Sequence, residues 1–124
     1  MKALGKHLVV EFYGCRPGVL DNKDWVEGAI LRAVEISGAT VIHPFFHQFS
    51  PHGISGVVVI AESHFAIHTW PEYGYAAVDI FTCGDDVDGE RAVEFLYEML
   101  EASSYSVVEI KRGLLGDVKH KPDG

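Results

Sequence analysis

Cysteine is scarce in this chain of 124 residues, where Cys15 and Cys83 are the two thiols. Two are too few for a disulfide framework, and a cytoplasmic protein that keeps them reduced is the default reading. Long apolar runs are missing as well. The longest, Gly56-Val57-Val58-Val59-Ile60-Ala61, has the size of a strand and falls far short of the ~20 residues a membrane helix needs. The opening Met1-Lys2-Ala3-Leu4-Gly5-Lys6-His7 lacks the apolar segment of a secretory signal. Positive charge is in short supply: ten Lys and Arg face eighteen Asp and Glu, for a net charge of −8. A nucleic-acid partner is not expected, because the basic footprint that neutralises phosphates is absent. No repeat, low-complexity tract or linker divides the chain, and its length leaves no room for a second domain.

What is present is an ordinary globular composition, 48% apolar and 23% charged. The acidic excess is uneven. Residues 1–62 carry five Lys and Arg against six Asp and Glu, and residues 63–124 carry five against twelve. Solubility accounts for such a surplus, and it also suits a cationic ligand.

The periodicity predicts β-α-β-β-β-β-α-β. His7–Tyr13 reads as a first strand closed by Gly14. Asp21 or Asn22 offers an N-cap to a helix whose stripe is Trp25, Val26, Ala29, Ile30, Ala33 and Val34, stopped by Gly38. Strands follow around Ala39–Phe49, Ile54–Ala61, Phe65–Trp70 and Tyr75–Thr82. Asp88 caps a second helix with the stripe Val93, Leu96, Tyr97 and Leu100, and a last strand spans Tyr105–Lys111. The tail from Gly116 to Gly124 reads as flexible. Short links between the middle strands favour antiparallel pairing. The fold class expected is α+β, a two-layer sandwich of a mainly antiparallel sheet with two helices on one face.

Alternation along the strands separates two faces. Ala76, Val78 and Ile80 form a small apolar set suited to the helices, as do Phe65, Ile67 and Thr69. The opposite sets are Tyr75, Ala77, Asp79, Phe81 and Cys83, and His64, Ala66, His68 and Trp70. A face that collects imidazoles, aromatics and a thiol is not a packed core. With no third layer in so short a chain, that face must meet solvent, a ligand or a second subunit, and its aromatics favour a second subunit plus ligand.

The chemistry concentrates in residues 60–74, with a hydroxyl, two imidazoles, two carboxylates and several aromatic rings. Three readings compete. His64, His68 and Cys83, with His43 or His47, have donor atoms that suit zinc, but no Cys-x-x-Cys or His-Glu-x-x-His spacing supports a metal site. Ser63 or Cys83 activated by His68 is a nucleophile on an external substrate, but no Gly-x-Ser-x-Gly elbow surrounds Ser63. In the third, Ser63 attacks the carbonyl that precedes it. An N-to-O acyl shift followed by elimination then cuts the chain and leaves a pyruvoyl group. The residues alone do not choose among them.

The block Glu62-Ser63-His64-Phe65-Ala66-Ile67-His68-Thr69-Trp70-Pro71-Glu72 resembles the processing and active-site signature of the prokaryotic S-adenosylmethionine decarboxylase family. Phe81-Thr82-Cys83-Gly84 and Gly5-Lys6-His7-Leu8 match as well, and the likeness runs to about Gly113 with no departure at the key positions. The resemblance implies cleavage between Glu62 and Ser63, giving a β chain of residues 1–62 and an α chain of residues 63–124 whose first residue is the pyruvoyl cofactor that carries the Schiff base. It implies His68 as the proton acceptor in processing with Ser55 assisting, and Cys83 as the proton donor to the decarboxylated carbon. It further implies a homodimer built as an αββα sandwich, no metal, and S-adenosylmethionine as substrate, decarboxylated to the aminopropyl donor for spermidine synthesis. Phe49 and Trp70 could supply stacking and cation–π contact to the nucleoside and sulfonium, and Glu72 would accept the ribose hydroxyls. Glu11 stays open between ligand-facing and solvent-facing. The rivals are a pyruvoyl-dependent arginine or ornithine decarboxylase, a zinc lyase or hydrolase, and a binding module with Ser63 intact.

Overall fold

The computed structural model describes residues 2–61, 63–83, 85–119 and 121. The strands are β1 (Ala3–Tyr13), β2 (Val41–Gln48), β3 (Ile54–Ile60), β4 (Ser63–Trp70), β5 (Tyr75–Cys83) and β6 (Ser104–Leu114). The helices are α1 (Pro17–Leu20), α2 (Lys23–Ser37) and α3 (Gly89–Met99), with a 3₁₀ turn at Pro71–Tyr73 between β4 and β5. The six strands form one sheet in the order β2-β3-β4-β5-β1-β6, and each neighbouring pair is antiparallel.

The predicted helices form where the caps place them. The Asn22 side chain accepts from the Trp25 amide at the start of α2, and Gly38 ends it in the left-handed region at φ 90°. Asp88 accepts from the Arg91 amide at the start of α3. Trp25 departs from the expected stripe: it is exposed, and its indole N–H donates to the Met99 carbonyl at 2.8 Å, tying α2 to the end of α3. α1 was not expected. A single turn is too short to show a period, and Pro17 at its first position is its one local signal. Along the stretch expected to be flexible, the Asp117 and Val118 amides both donate to the Leu114 carbonyl. Residues 120 and 122–124 of that stretch lie outside the described residues.

The helices cover one face of the sheet. Val26, Ile30, Ala33 and Val34 of α2 and Ala92, Val93 and Leu96 of α3 are buried together with Leu8, Val10, Phe12, Ile54, Val58, Ile60, Phe65, Ile67, Ala76, Val78 and Ile80 from the strands. Every strand residue in this set belongs to the alternation that points toward the helices, which is how a half-covered antiparallel sheet is written in sequence. The other face carries no layer in the single chain. Phe45 is 61% exposed there, and Val59 and Val108 lie open as well.

One buried hydroxyl holds the layers in register beside the chemistry-bearing stretch. Thr69 Oγ1 accepts from the Ile54 amide and donates to the Leu20 carbonyl, both at 2.9 Å. Since Thr69 is drawn inward, its neighbours His68 and Trp70 are turned to the open face. Thr69→Val keeps the shape and strands both partners, so a loss of about 1–3 kcal/mol is expected. Urea unfolding measures it, and an unchanged midpoint would show that the two bonds contribute nothing.

Candidate active site

The open face holds two groups of side chains at opposite ends of β4. At the first end, Ser63 opens β4 directly after the hairpin from β3. Ile60 pairs with Ser63, so residues 61 and 62 alone join the strands. Cys83 ends β5 next door, and Ser63 Oγ lies 3.4 Å from Cys83 Sγ. Glu62, the expected residue before the scissile bond, lies outside the described residues.

The second end gathers Phe49, His52, Ser55, His68, Trp70 and Glu72 around a cavity of 320 Å³. Ser55 and His68 face each other across β3 and β4, with Ser55 Oγ 2.7 Å from His68 Nδ1. The β2–β3 loop that carries Phe49 and His52 is closed by the Phe49 amide donating to the Gly53 carbonyl at 2.8 Å. It is moored to the helical layer by the Gly53 amide donating to Asp21 Oδ1 at 2.9 Å. Gly53 has φ 104°, and a Cβ there would come within 3.2 Å of the Thr69 carbonyl, so glycine is what lets the loop close. Phe49 and Trp70 are both about half-exposed and present ring faces to the cavity's surroundings. Glu72 is held by His52, with Oε2 3.0 Å from Nε2.

Of the residues expected at the site, one chain therefore joins Ser63 with Cys83 and, separately, Ser55, His68, Phe49, Trp70 and Glu72. It does not join His68 to Ser63. Five extended residues at ~3.3 Å each set them about 16 Å apart along one strand. The same spacing argues against the metal reading, since His68 is four residues along β4 from His64. Among the described residues no cluster of three or more metal-ligating side chains occurs.

The comparisons with known proteins were made on this geometry. Residues 6–113 match the model of the S-adenosylmethionine decarboxylase family. The chain belongs to that family. It is 54% identical over 118 residues to the S-adenosylmethionine decarboxylase proenzyme of Thermotoga petrophila, a match that covers 95% of this chain and 91% of the relative. It is 53% identical over 114 residues to the proenzyme of the same name from Caldicellulosiruptor saccharolyticus, covering 92% of each. The crystal structure of the adenosylmethionine decarboxylase from Aquifex aeolicus superposes with a TM-score of 0.87 at 34% identity, covering 98% of this chain and 100% of that one. The two-layer α+β fold read from the strand pattern is the fold of this relative. No described helix is long and apolar enough to cross a membrane.

Sequence reasoning left His52 as a structural residue and did not connect Asp21 or Thr69 to the site. Each acts through a partner between 15 and 49 residues away, and no local spacing encodes such a meeting. Cys15 has no chemistry assigned from sequence, and its surroundings give a reason. It is buried under Gly74, accepting that glycine's company through a 2.8 Å bond from its own amide to the Gly74 carbonyl. Burial pushes its thiol up to about 11 from 9.0. A folded value above the unfolded one stabilises the protein fully below pH 9, and that contribution is lost as the pH rises toward 11. Urea midpoints are expected to fall across this window and to fall less steeply in Cys15→Ala. An equal slope in the variant would remove Cys15 as the cause.

Proposed function

We propose that this chain is the precursor of a pyruvoyl-dependent S-adenosylmethionine decarboxylase whose active site is completed by a second copy of itself. The observation that carries the reading is the division of the site residues between the two ends of β4, with Ser63 and Cys83 at one and Ser55 and His68 at the other. The uncovered sheet face, with Phe45 and Val59 exposed, supports a face-to-face dimer of the αββα kind, with sheets ~10 Å apart. A two-fold axis lying between the faces and across the strands reverses the strand direction. It sets the Ser63 end of one copy against the His68 end of the other.

In the precursor, the Ser63 hydroxyl adds to the Glu62 carbonyl carbon and the Ser63 nitrogen leaves it, so the peptide becomes an ester. The Ser63 α-proton then goes to a base, the Glu62 carboxylate departs, and the remaining enamine takes up water and releases ammonia. What is left is a pyruvoyl group at the start of residues 63–124. The hairpin position suits this chemistry, since two residues link the strands and Ser63 is the first residue beyond them. With Nδ1–H donating to Ser55 Oγ, His68 keeps a lone pair on Nε2 and serves as that base for the opposite copy. Processing thus needs both ends of two chains.

The pyruvoyl group supplies a carbonyl that condenses with the substrate's amine and takes up the electrons released with CO₂. Cys83, beside the position where that group forms, delivers a proton to the substrate carbon. Phe49 and Trp70 flank the nucleoside and the sulfonium, each cation–π contact contributing ~0.5–2 kcal/mol. Glu72, oriented by His52, accepts the ribose hydroxyls. A nucleoside substrate accounts for the aromatic pair and the carboxylate together, and arginine or ornithine does not. The reading carries with it a cytoplasmic location, where Cys83 stays reduced.

Denaturing mass spectrometry of Ser63→Ala is expected to give one uncut chain, and two fragments in that variant would refute the site. The shared site has its own test. Ser63→Ala and His68→Ala, each inactive alone, are co-expressed as differently tagged chains. Mixed pairs hold one intact site of two, and random pairing predicts cleavage and CO₂ release at about a quarter of the level of the unmodified protein. No cleavage in verified mixed pairs would place the whole site within one chain.

A further inference from the structure

Trp70 stands at the rim of the 320 Å³ cavity as the last residue of β4, and exposed indoles at strand ends are free to swing. Here the ring is held. Trp70 pairs with Tyr75 across β4 and β5, and the two rings stack at 5.2 Å between centroids and 28° between planes. Tyr75 stacks in turn on Tyr13 of β1, at 5.7 Å and 23°. The Tyr75 phenol is clamped as well: its O–H lies 2.7 Å from both Oε1 and Oε2 of Glu11. The chain of contact runs Glu11 to Tyr75 to Trp70, across three neighbouring strands, and it ends on a wall of the cavity. Burial, then the hydrogen bond to Glu11, push the Tyr75 phenol up to about 12, so the clamp stays made throughout the neutral range.

We propose that Glu11 and Tyr75 are positioning residues for substrate binding, the carboxylate fixing the phenol and the phenol ring holding the Trp70 indole upright against the cavity. Neither residue needs to touch the substrate. The inference rests on the reading above that Trp70 stacks on the nucleoside. It adds that the stacking surface is set from two strands away. A stacked ring pair is worth enough to alter binding by roughly three- to tenfold. The two residues act through one bond, so their effects are not additive.

The test uses cleaved, active protein carrying Trp25→Phe, which leaves Trp70 as the one tryptophan. Tyr75→Phe and Glu11→Ala are expected to raise KM for S-adenosylmethionine roughly three- to tenfold, with kcat within about twofold and the assembly mass unchanged. The double variant is expected to match the worse single one. Glu11→Gln, which can still accept the phenol proton, restores most of the affinity. Acrylamide quenching of Trp70 rises in the variants that lose the clamp. A fall in kcat at unchanged KM, additive effects, unaltered quenching or a change in assembly mass would each overturn the proposal. The underlying reading is separated by one control. If S-adenosylmethionine does not change Trp70 emission in the protein with Glu11 and Tyr75 intact, the stacking itself fails. If it does and the variants bind normally, the positioning claim alone fails.

Discussion

A β-strand can neither bend back on itself nor bring together side chains five residues apart, and β4 has Ser63 at its first position and His68 at its sixth. Continuous pairing with β3 and β5 keeps that strand straight over its whole length. The consequence reaches the quaternary level. A nucleophile and a base fixed at opposite ends of one rigid strand can meet only across an interface, and the sheet face that carries them is the one the helices leave bare. Fold, exposed surface and the division of the site are then one fact seen at three scales.

The far end of β4 illustrates how a sheet face becomes a binding surface. Thr69 is turned inward to bond the Ile54 amide and the Leu20 carbonyl, which turns His68 and Trp70 outward. Gly53 closes the β2–β3 loop and is moored by Asp21, which fixes Phe49 and His52 over the same spot. Both devices draw on the helical layer. The side of the sheet that carries no chemistry holds the side that does, as preorganised sites require of their surroundings.

Much of this was readable in the sequence. The period-two alternation of Phe65, Ile67 and Thr69 against His64, Ala66, His68 and Trp70 names both faces of β4. Asn22, Gly38 and Asp88 mark helix ends that the structure keeps. The signature around Ser63 names the family to which the comparisons assign the chain. What was not readable depends on distance through space. The His52–Glu72 pair, the Glu11 clamp on Tyr75 and the Asp21 mooring join residues 20 to 64 positions apart, and a single sequence carries no trace of such pairings. Trp25 was misread for a related reason. Its place in the α2 stripe is apolar by type, but an indole N–H seeks an acceptor, and the Met99 carbonyl drew it to the surface.

The strand order has one more consequence. Residues 1–62 contribute β1, β2 and β3, and residues 63–124 contribute β4, β5 and β6, yet the sheet reads β2-β3-β4-β5-β1-β6. The two segments are interleaved, meeting along β3–β4, β5–β1 and β1–β6. Scission in the β3–β4 hairpin would free two chain ends and release nothing, because the fragments stay laced by backbone ladders on three seams. Unlacing them would mean dismantling the whole sheet. Once dismantled, the halves would have to find each other again from solution, so a protein that folds as one molecule would, after its own cut, endure chiefly by the slowness with which it comes apart.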